Sequence, residues 1–353
     1  MELLEQTIAK ISPELNEQAF AAATERLANQ AKPAGSLGIM ETVSARLAAI
    51  KGAIDVRLAN KQIVTCAGDH GVCREGVSLF PSEVTAQMVF NFVNKGASVN
   101  VIAEHAGAGV SVADLGVDYD FDADLPIFHK KIRRGTSNFA EEPAMSRKEA
   151  VASMEAGIDI INELHADTPV DLLGTGDMGI GNTTPSSAII AAFSGIAVEK
   201  LTDRGTGIDD NTLKHKIAVI EKALELHKPD PGDPIDVLSK VGGFEIGGLA
   251  GLVLGGAALG IPVICDGLIS TAGALIACEL APAAKQYLFA SHKSVEAGHA
   301  FMHDRLGLDP LIDLQFRLGE GTGAAVCMEL LDLSTRILAD IKTFEEVGIT
   351  DVQ

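Results

Sequence analysis

The chain lacks tryptophan and is short of cations: 28 Lys and Arg face 48 Asp and Glu, giving a formal charge of −20 over 353 residues. An acidic surface repels nucleic acid and anionic membranes, so both are excluded as main partners. A small anionic ligand is still allowed, because it needs only a local nest of N–H groups or one or two cations. Cysteines are few and scattered (Cys66, Cys73, Cys265, Cys278, Cys327), odd in number and without any C-x-x-C pair. That excludes a disulfide framework and a zinc knuckle and fits a reducing cytoplasm. The N-terminus, Met1-Glu2-Leu3-Leu4-Glu5, lacks the basic-then-apolar order of a signal peptide. No 20–50-residue repeat is visible. Residues 246–265 carry no charge and are long enough to span a bilayer. They are nonetheless rich in glycine, contain Pro262, lack a flanking Lys/Arg cluster and end on Asp266. A buried helix followed by a buried strand, in a soluble protein, is the reading that results.

What is present is an ordinary globular composition, 47% hydrophobic with 36 glycines, in a chain long enough for one large or two modest domains. Residues 1–30 read as helical in two pieces divided by Pro13, and a third helix carries Leu47 and Ile50. From residue 61 short apolar strands alternate with long helical patterns. The strands are Ile63–Ala67, Val110–Ala113, Val170–Leu173, Ile261–Cys265 and Gln286–Ala290. Helices are expected over Val84–Val93 and Val99–Ala106, and another after Ser146, which forms a capping box with Glu149. This alternation predicts βαβ units and a parallel sheet covered on both faces. Most strands end on polar or Gly-rich residues, and open α/β sheets bind ligands beyond the carboxyl ends of their strands. Asp69, His70, Asp177, Asp266, Ser291 and His292 are therefore expected at one site.

Several loops could carry chemistry, each with a plainer alternative. Gly174-x-Gly176-x-x-Gly179 formally matches the dinucleotide fingerprint. Asn182-Thr183-Thr184-Pro185 interrupts it and places the helix start near Pro185. The loop then reads as a nest for a single phosphate or as a structural turn. Arg204-Gly205-Thr206-Gly207, with Lys214 and Lys216 beyond it, reads as a second phosphate loop or a solvated helix start. Ser78–Met88 mixes aromatic, hydroxyl, amide and thioether groups around a helix start that Ser82 could cap, suited to a flat aromatic ligand or to core packing. His299 and His303 stand at i and i+4 with no third ligand in view, so no metal site is expected. Arg317-Leu318-Gly319-Glu320-Gly321-Thr322-Gly323 sets one acid between two glycines. It is either a solvated turn acid or a base that a ligand can approach closely.

Taken together, these segments resemble the nicotinate-nucleotide–dimethylbenzimidazole phosphoribosyltransferase family, which makes the lower-ligand nucleotide of cobalamin. The resemblance runs in order through Lys32–Gly38, Ala67–Val72, Gly179–Pro185, Leu238–Glu245, Asp266-Gly267, Ser291-His292 and Arg317–Gly323. It implies an α/β fold, a Rossmann-like three-layer parallel sheet with helices on both faces, plus a small helical domain from the chain termini. The implied division is residues 1–60 and 324–353 for the small domain and 61–323 for the catalytic domain. A homodimer is implied, with no metal or redox cofactor. The implied reaction exchanges the nicotinate of nicotinate mononucleotide for 5,6-dimethylbenzimidazole or a related base. By the same pattern Glu320 is the catalytic base, and Asp177 stands where many members have glutamate. Ser78, Phe80, Gln87, Met88 and Leu318 surround the aromatic base. Gly179, Gly181, Asn182, Thr183, Gly205, Lys216, Ser291, His292 and Arg317 hold the nucleotide and its phosphate. Ala34 replaces a proline usual in the family. The rival reading, drawn from the glycine fingerprint, is an NAD-dependent oxidoreductase.

Overall fold

The computed structural model describes residues 1–205 and 207–350; Thr206 of the second Gly-rich loop lies outside the described residues. Among the described residues six strands form: β1 (Lys61–Gly68), β2 (Ala108–Gly116), β3 (Phe128–His129), β4 (Leu172–Met178), β5 (Val263–Cys265) and β6 (Leu288–Ala290). All pairings are parallel, and the order across the sheet is β3-β2-β1-β4-β5-β6. The chain winds outward in opposite directions from the β1–β4 pair. Its carboxyl ends, where Cys66 pairs with Asp177 and Ala67 with Met178, are the switch point at which such sheets open a crevice.

One face of the sheet is covered by α6 (Arg147–Asp167), α10 (Phe244–Ala258) and α11 (Leu268–Leu280). The uncharged stretch that imitates a membrane span is α10 followed by β5, as expected. Its glycines serve helix packing: a Cβ on Gly251 would fall 1.9 Å from the Met154 carbonyl, and one on Gly157 2.0 Å from that of Gly248. Among the described residues no helix is long and apolar enough to cross a membrane. The opposite face carries α4 (Glu83–Val93), α5 (Ser98–His105) and α13 (Thr322–Asp340). There Val89, Val99 and Met328 bury Ile63, Leu172 and Ile264 of the sheet.

Helices from the two chain ends meet. Between α2 (Glu17–Asn29), α3 (Ile39–Lys51) and α13 lies a separate apolar cluster of Ala23, Leu27, Ala45, Ala48 and Leu338. Polar side chains tie the ends as well: Gln30 donates to the Ile337 carbonyl at 2.7 Å, and Ser44 to that of Ser334 at 2.7 Å. The first helix, α1 (Glu2–Lys10), packs instead on α6 and α10, with Leu4 buried and the terminal ammonium 2.5 Å from Glu155.

Three local expectations need correction. The Gly-rich sequence after Leu173 is not a loop, since β4 continues through Gly174, Thr175, Gly176 and Asp177 to Met178. The first two glycines of the supposed dinucleotide fingerprint are thus strand residues facing α13. A Cβ on Gly174 would meet Met328 and Ala324, and one on Gly176 would stand 2.2 Å from the Glu320 carbonyl. This removes the structural basis of the NAD reading, which requires those glycines in the turn. The helix α7 (Thr183–Ser194) starts after Asn182, two residues earlier than Pro185. Ser82 stands at the N-cap of α4 but accepts no capping bond. The Ser146–Glu149 capping box is present as expected.

Candidate active site

A cavity of about 280 Å³ opens at the carboxyl ends of β1 and β4, beside a side chamber of about 70 Å³. The two share Asp177, Asn182, Thr183, Gly205 and Leu318. Glu320 reaches the main cavity from the turn before α13.

Glu320 is held at several points. Its backbone is left-handed, φ +65°, an uncommon state for a residue with a side chain. Its N–H donates to the Asp177 carbonyl at 3.2 Å, and its own carbonyl accepts from the Thr65 hydroxyl at 2.9 Å. The missing side chain of Gly176 lets this turn lie directly on β4. The carboxylate accepts the N–H of Val99 at 3.3 Å, a donor left free by its place in the first turn of α5. Burial pushes the Glu320 pKa up, and the Val99 bond only partly opposes the rise. A raised carboxylate with one hydrogen bond and a face on a cavity is suited to accept a proton.

Asp177, the last residue but one of β4, lies between the two chambers. Its Oδ2 accepts from the Asn182 amide at 2.9 Å, while Oδ1 is buried with no partner among the described residues. Burial first, then the charge of Asp266, pushes its pKa well up; Asn182 opposes this, and Glu245 and Glu320 add to it. Asp177 is thus a carboxyl that tends to hold its proton.

The opposite end of the cavity is polar and fixed. Lys216, on α8 (Asp210–His227), is 1% exposed and donates to the Thr183 hydroxyl at 2.7 Å and the Asp203 carbonyl at 3.2 Å. Burial lowers its pKa to about 8, against the nearby charges of Glu296 and Asp203. Gly179, Gly181, Asn182, Thr183, Arg204 and Gly205 complete this wall. A Cβ on Gly179 would stand 2.4 Å from the Gly68 carbonyl, and Gly181 adopts φ +83° over the Cys73 sulfur. This backbone opens α7, whose positive N-terminal end borders the cavity and favours an anion.

The third wall is apolar: Val77, Ser78, Phe80, Val84, Met88 and Leu318. Phe80 and Leu318 are 47% and 55% exposed at the rim.

Of the residues expected from the sequence, Ser78, Phe80, Met88, Leu318, Asp177, Glu320, Gly179, Gly181, Asn182, Thr183, Gly205 and Lys216 line the main cavity. His292 and Arg317 line the side chamber, with Arg317 donating to the Gly205 carbonyl at 3.5 Å. Burial drives His292 down to about 4, so its ring is neutral. Gln87 is exposed on α4, outside the lining. Ser291 is buried behind the wall, donating to the Asp266 carbonyl at 2.8 Å.

Asp69 and His70 also lie behind the wall. His70 stands 2.9 Å from Glu245, both fully buried. Burial lowers the His70 pKa, but the Glu245 and Asp69 charges outweigh it and the net shift is upward. Both ring nitrogens of His299 are engaged, by Thr271 and by the Ser294 N–H. The reading from sequence missed Val77 and above all the Val99 N–H, a backbone donor with no side-chain signal. Only its place near a helix start could have revealed it.

A family model described as "Phosphoribosyltransferase" matches residues 12–349. The nicotinate-nucleotide–dimethylbenzimidazole phosphoribosyltransferase of Geobacter sp. (strain M21) is 56% identical over 350 residues, covering 99% of this chain and all of that protein. The enzyme of the same name from Geobacter sulfurreducens is 55% identical over 351 residues, 99% of each chain. Among solved structures, CobT from Thermus thermophilus superposes with a TM-score of 0.91 at 42% identity, over 94% of this chain and 99% of that one. With this cavity at the switch point of the sheet, the chain belongs to the nicotinate-nucleotide–dimethylbenzimidazole phosphoribosyltransferase family.

Proposed function

We propose that this chain exchanges the nicotinate of nicotinate mononucleotide for 5,6-dimethylbenzimidazole or a related base, forming α-ribazole 5′-phosphate. The observation that carries this reading is the pairing of a raised, cavity-facing Glu320 carboxylate with the buried Lys216 cation at the other end of the same cavity. The flat base fits the apolar wall of Phe80, Met88 and Leu318, and the 5′-phosphate suits the Gly179–Thr183 backbone, Gly205 and Lys216. One ring nitrogen of the base attacks the anomeric carbon as the bond to the pyridinium nitrogen breaks. The bonding pair leaves with nicotinate, whose ring becomes neutral and needs no acid. The other nitrogen of the incoming base sheds its proton to Glu320. With base and nucleotide held in one cavity, positioning supplies much of the rate.

The reading extends to architecture and setting. The packing of α2 and α3 against α13 supports a small helical unit built from residues before 61 and after 323. A homodimer would cover the exposed Leu79, Phe80 and Leu318 at the rim. Five free cysteines are compatible with a cytoplasmic setting.

The test is incubation with nicotinate mononucleotide and 5,6-dimethylbenzimidazole, followed by chromatography. Appearance of α-ribazole phosphate and nicotinate in equal amounts is expected. No product from this base or from adenine would sink the reading.

A further inference from the structure

Asp266 follows β5 and lines neither chamber; it is 0% exposed. Its carboxylate collects three backbone donors from the turn that carries Glu320. Oδ2 accepts from Gly321 N–H at 3.1 Å, and Oδ1 from Gly323 at 2.7 Å and Ala324 at 3.0 Å. Two of these belong to the first turn of α13, where N–H groups lack helical partners. The third lies immediately after Glu320.

Taken with the bonds already described, Glu320 is fixed on both sides. Asp177 holds its N–H, and Thr65 and Asp266 hold the two ends of the peptide that follows, the Glu320 carbonyl and the Gly321 N–H. A left-handed residue with a side chain persists only where its surroundings impose that state. Removing the anchor at Gly321 frees the turn to relax toward negative φ, which swings the Glu320 carboxylate away from the Val99 N–H and from the cavity. The space next to the anchor is equally constrained. A Cβ on Gly323 would stand 2.8 Å from Asp266 Oδ1 and 2.1 Å from His292 Nδ1, so the helix start sits directly on these two side chains. Burial pushes Asp266 up to about 7, and the Ala324, Gly321 and Gly323 donors oppose the rise.

We propose that Asp266 is a positioning residue for the reaction: by accepting from Gly321, Gly323 and Ala324 it holds the turn that aims Glu320 at the incoming base. The inference rests on Glu320 being the proton acceptor. Asp266 touches no substrate and acts only through that side chain.

The test is a double-mutant cycle in the purified full-length enzyme, with Asp266→Asn, Glu320→Gln and the double variant, read as kcat and KM for both substrates. Asn keeps one acceptor oxygen but turns an NH2 group toward N–H donors. Asp266→Asn is expected to lower kcat roughly ten- to a hundredfold, the scale of a misplacement of about 1 Å. KM for nicotinate mononucleotide should change less than about threefold, because the phosphate wall is untouched. The double variant should be no slower than Glu320→Gln within about twofold, since a residue acting through Glu320 has nothing left to position. Losses that multiply, or an unchanged kcat for Asp266→Asn, overturn the proposal while leaving the base assignment intact. An unimpaired Glu320→Gln overturns the base assignment itself, and the positioning role with it. Should Asp266→Asn fail to give a cooperative melt, Asp266→Ser, which keeps a shorter acceptor, enters the same cycle with the same criteria.

Discussion

The two ends of the cavity are built differently. At the Lys216 end the groups are polar and tied down: the buried lysine to Thr183, Asn182 to Asp177, and Gly179 against the Gly68 carbonyl. At the Phe80–Leu318 end the lining is mainly apolar, with Phe80 and Leu318 about half exposed over a buried Val77, and its packing imposes no polar geometry. The difference teaches where each demand of the reaction is met. A phosphate is the same in every productive encounter, so a rigid polar cradle suits it. On the proposed reading the apolar wall takes the incoming base, and a wall of this kind sorts ligands by shape, with modest discrimination per group. Glu320, held through the Thr65 hydroxyl and the Val99 N–H, belongs with the rigid groups.

That division can be broken experimentally. Glu320→Ala should lower turnover by about 10²–10⁴-fold, the span of general-base contributions, with a melt close to that of the parent; a loss below tenfold in steady-state assays would remove the base assignment. Lys216→Met should act mainly on the nucleotide, raising KM for nicotinate mononucleotide roughly ten- to a hundredfold, the worth of a hydrogen bond to a charged group. The parent enzyme should show a related trend, with kcat/KM falling above about pH 8 as the Lys216 charge is lost. An equal rise in KM for the benzimidazole would erase the distinction between the ends. Phe80→Ala should leave the nucleotide KM alone and shift the ratio of kcat/KM between dimethylbenzimidazole and unsubstituted benzimidazole by about three- to tenfold.

The smallest expected effect is on stability. The Asp177 pKa is raised on folding. Between the ordinary carboxylate range and that raised value the folded protein keeps a proton the unfolded chain has lost. Stability therefore falls as pH rises through the window. Asp177→Asn lacks this liability, so it should melt a few degrees higher than the parent at pH 8, on the order of 2–4 °C per kcal/mol. The advantage should shrink toward pH 4. A melting difference independent of pH would contradict the assignment.

Much of this was legible in the sequence. Alternating apolar runs gave five of the strands and the parallel sheet because buried strands have a composition of their own. The resemblance of ordered motifs gave most of the lining residues. What escaped has physical reasons. β4 was cut short because Gly174 and Gly176 look like a loop, yet they are strand residues whose missing side chains admit α13 and the Glu320 turn. β3 is only two residues long and lies on the sheet edge, too short to show a pattern. Gln87 shares a helix with Met88, but adjacent helical positions point about 100° apart, and only Met88 turns inward. The donor to the Glu320 carboxylate is the Val99 backbone N–H, a group that no side chain in the sequence advertises.

The contact between Gly176 and the Glu320 carbonyl has a consequence for how finely this site can be adjusted. A single added methyl would arrive 2.2 Å from that oxygen and would have to lift the turn by about 1 Å, a displacement that can cost about 10²-fold in rate. The proposed proton acceptor is therefore gauged against β4, a central strand of the sheet, although it sits on a turn. Substitutions in the turn or at the rim can change which base enters, but the height of the carboxylate above the sheet is set from below.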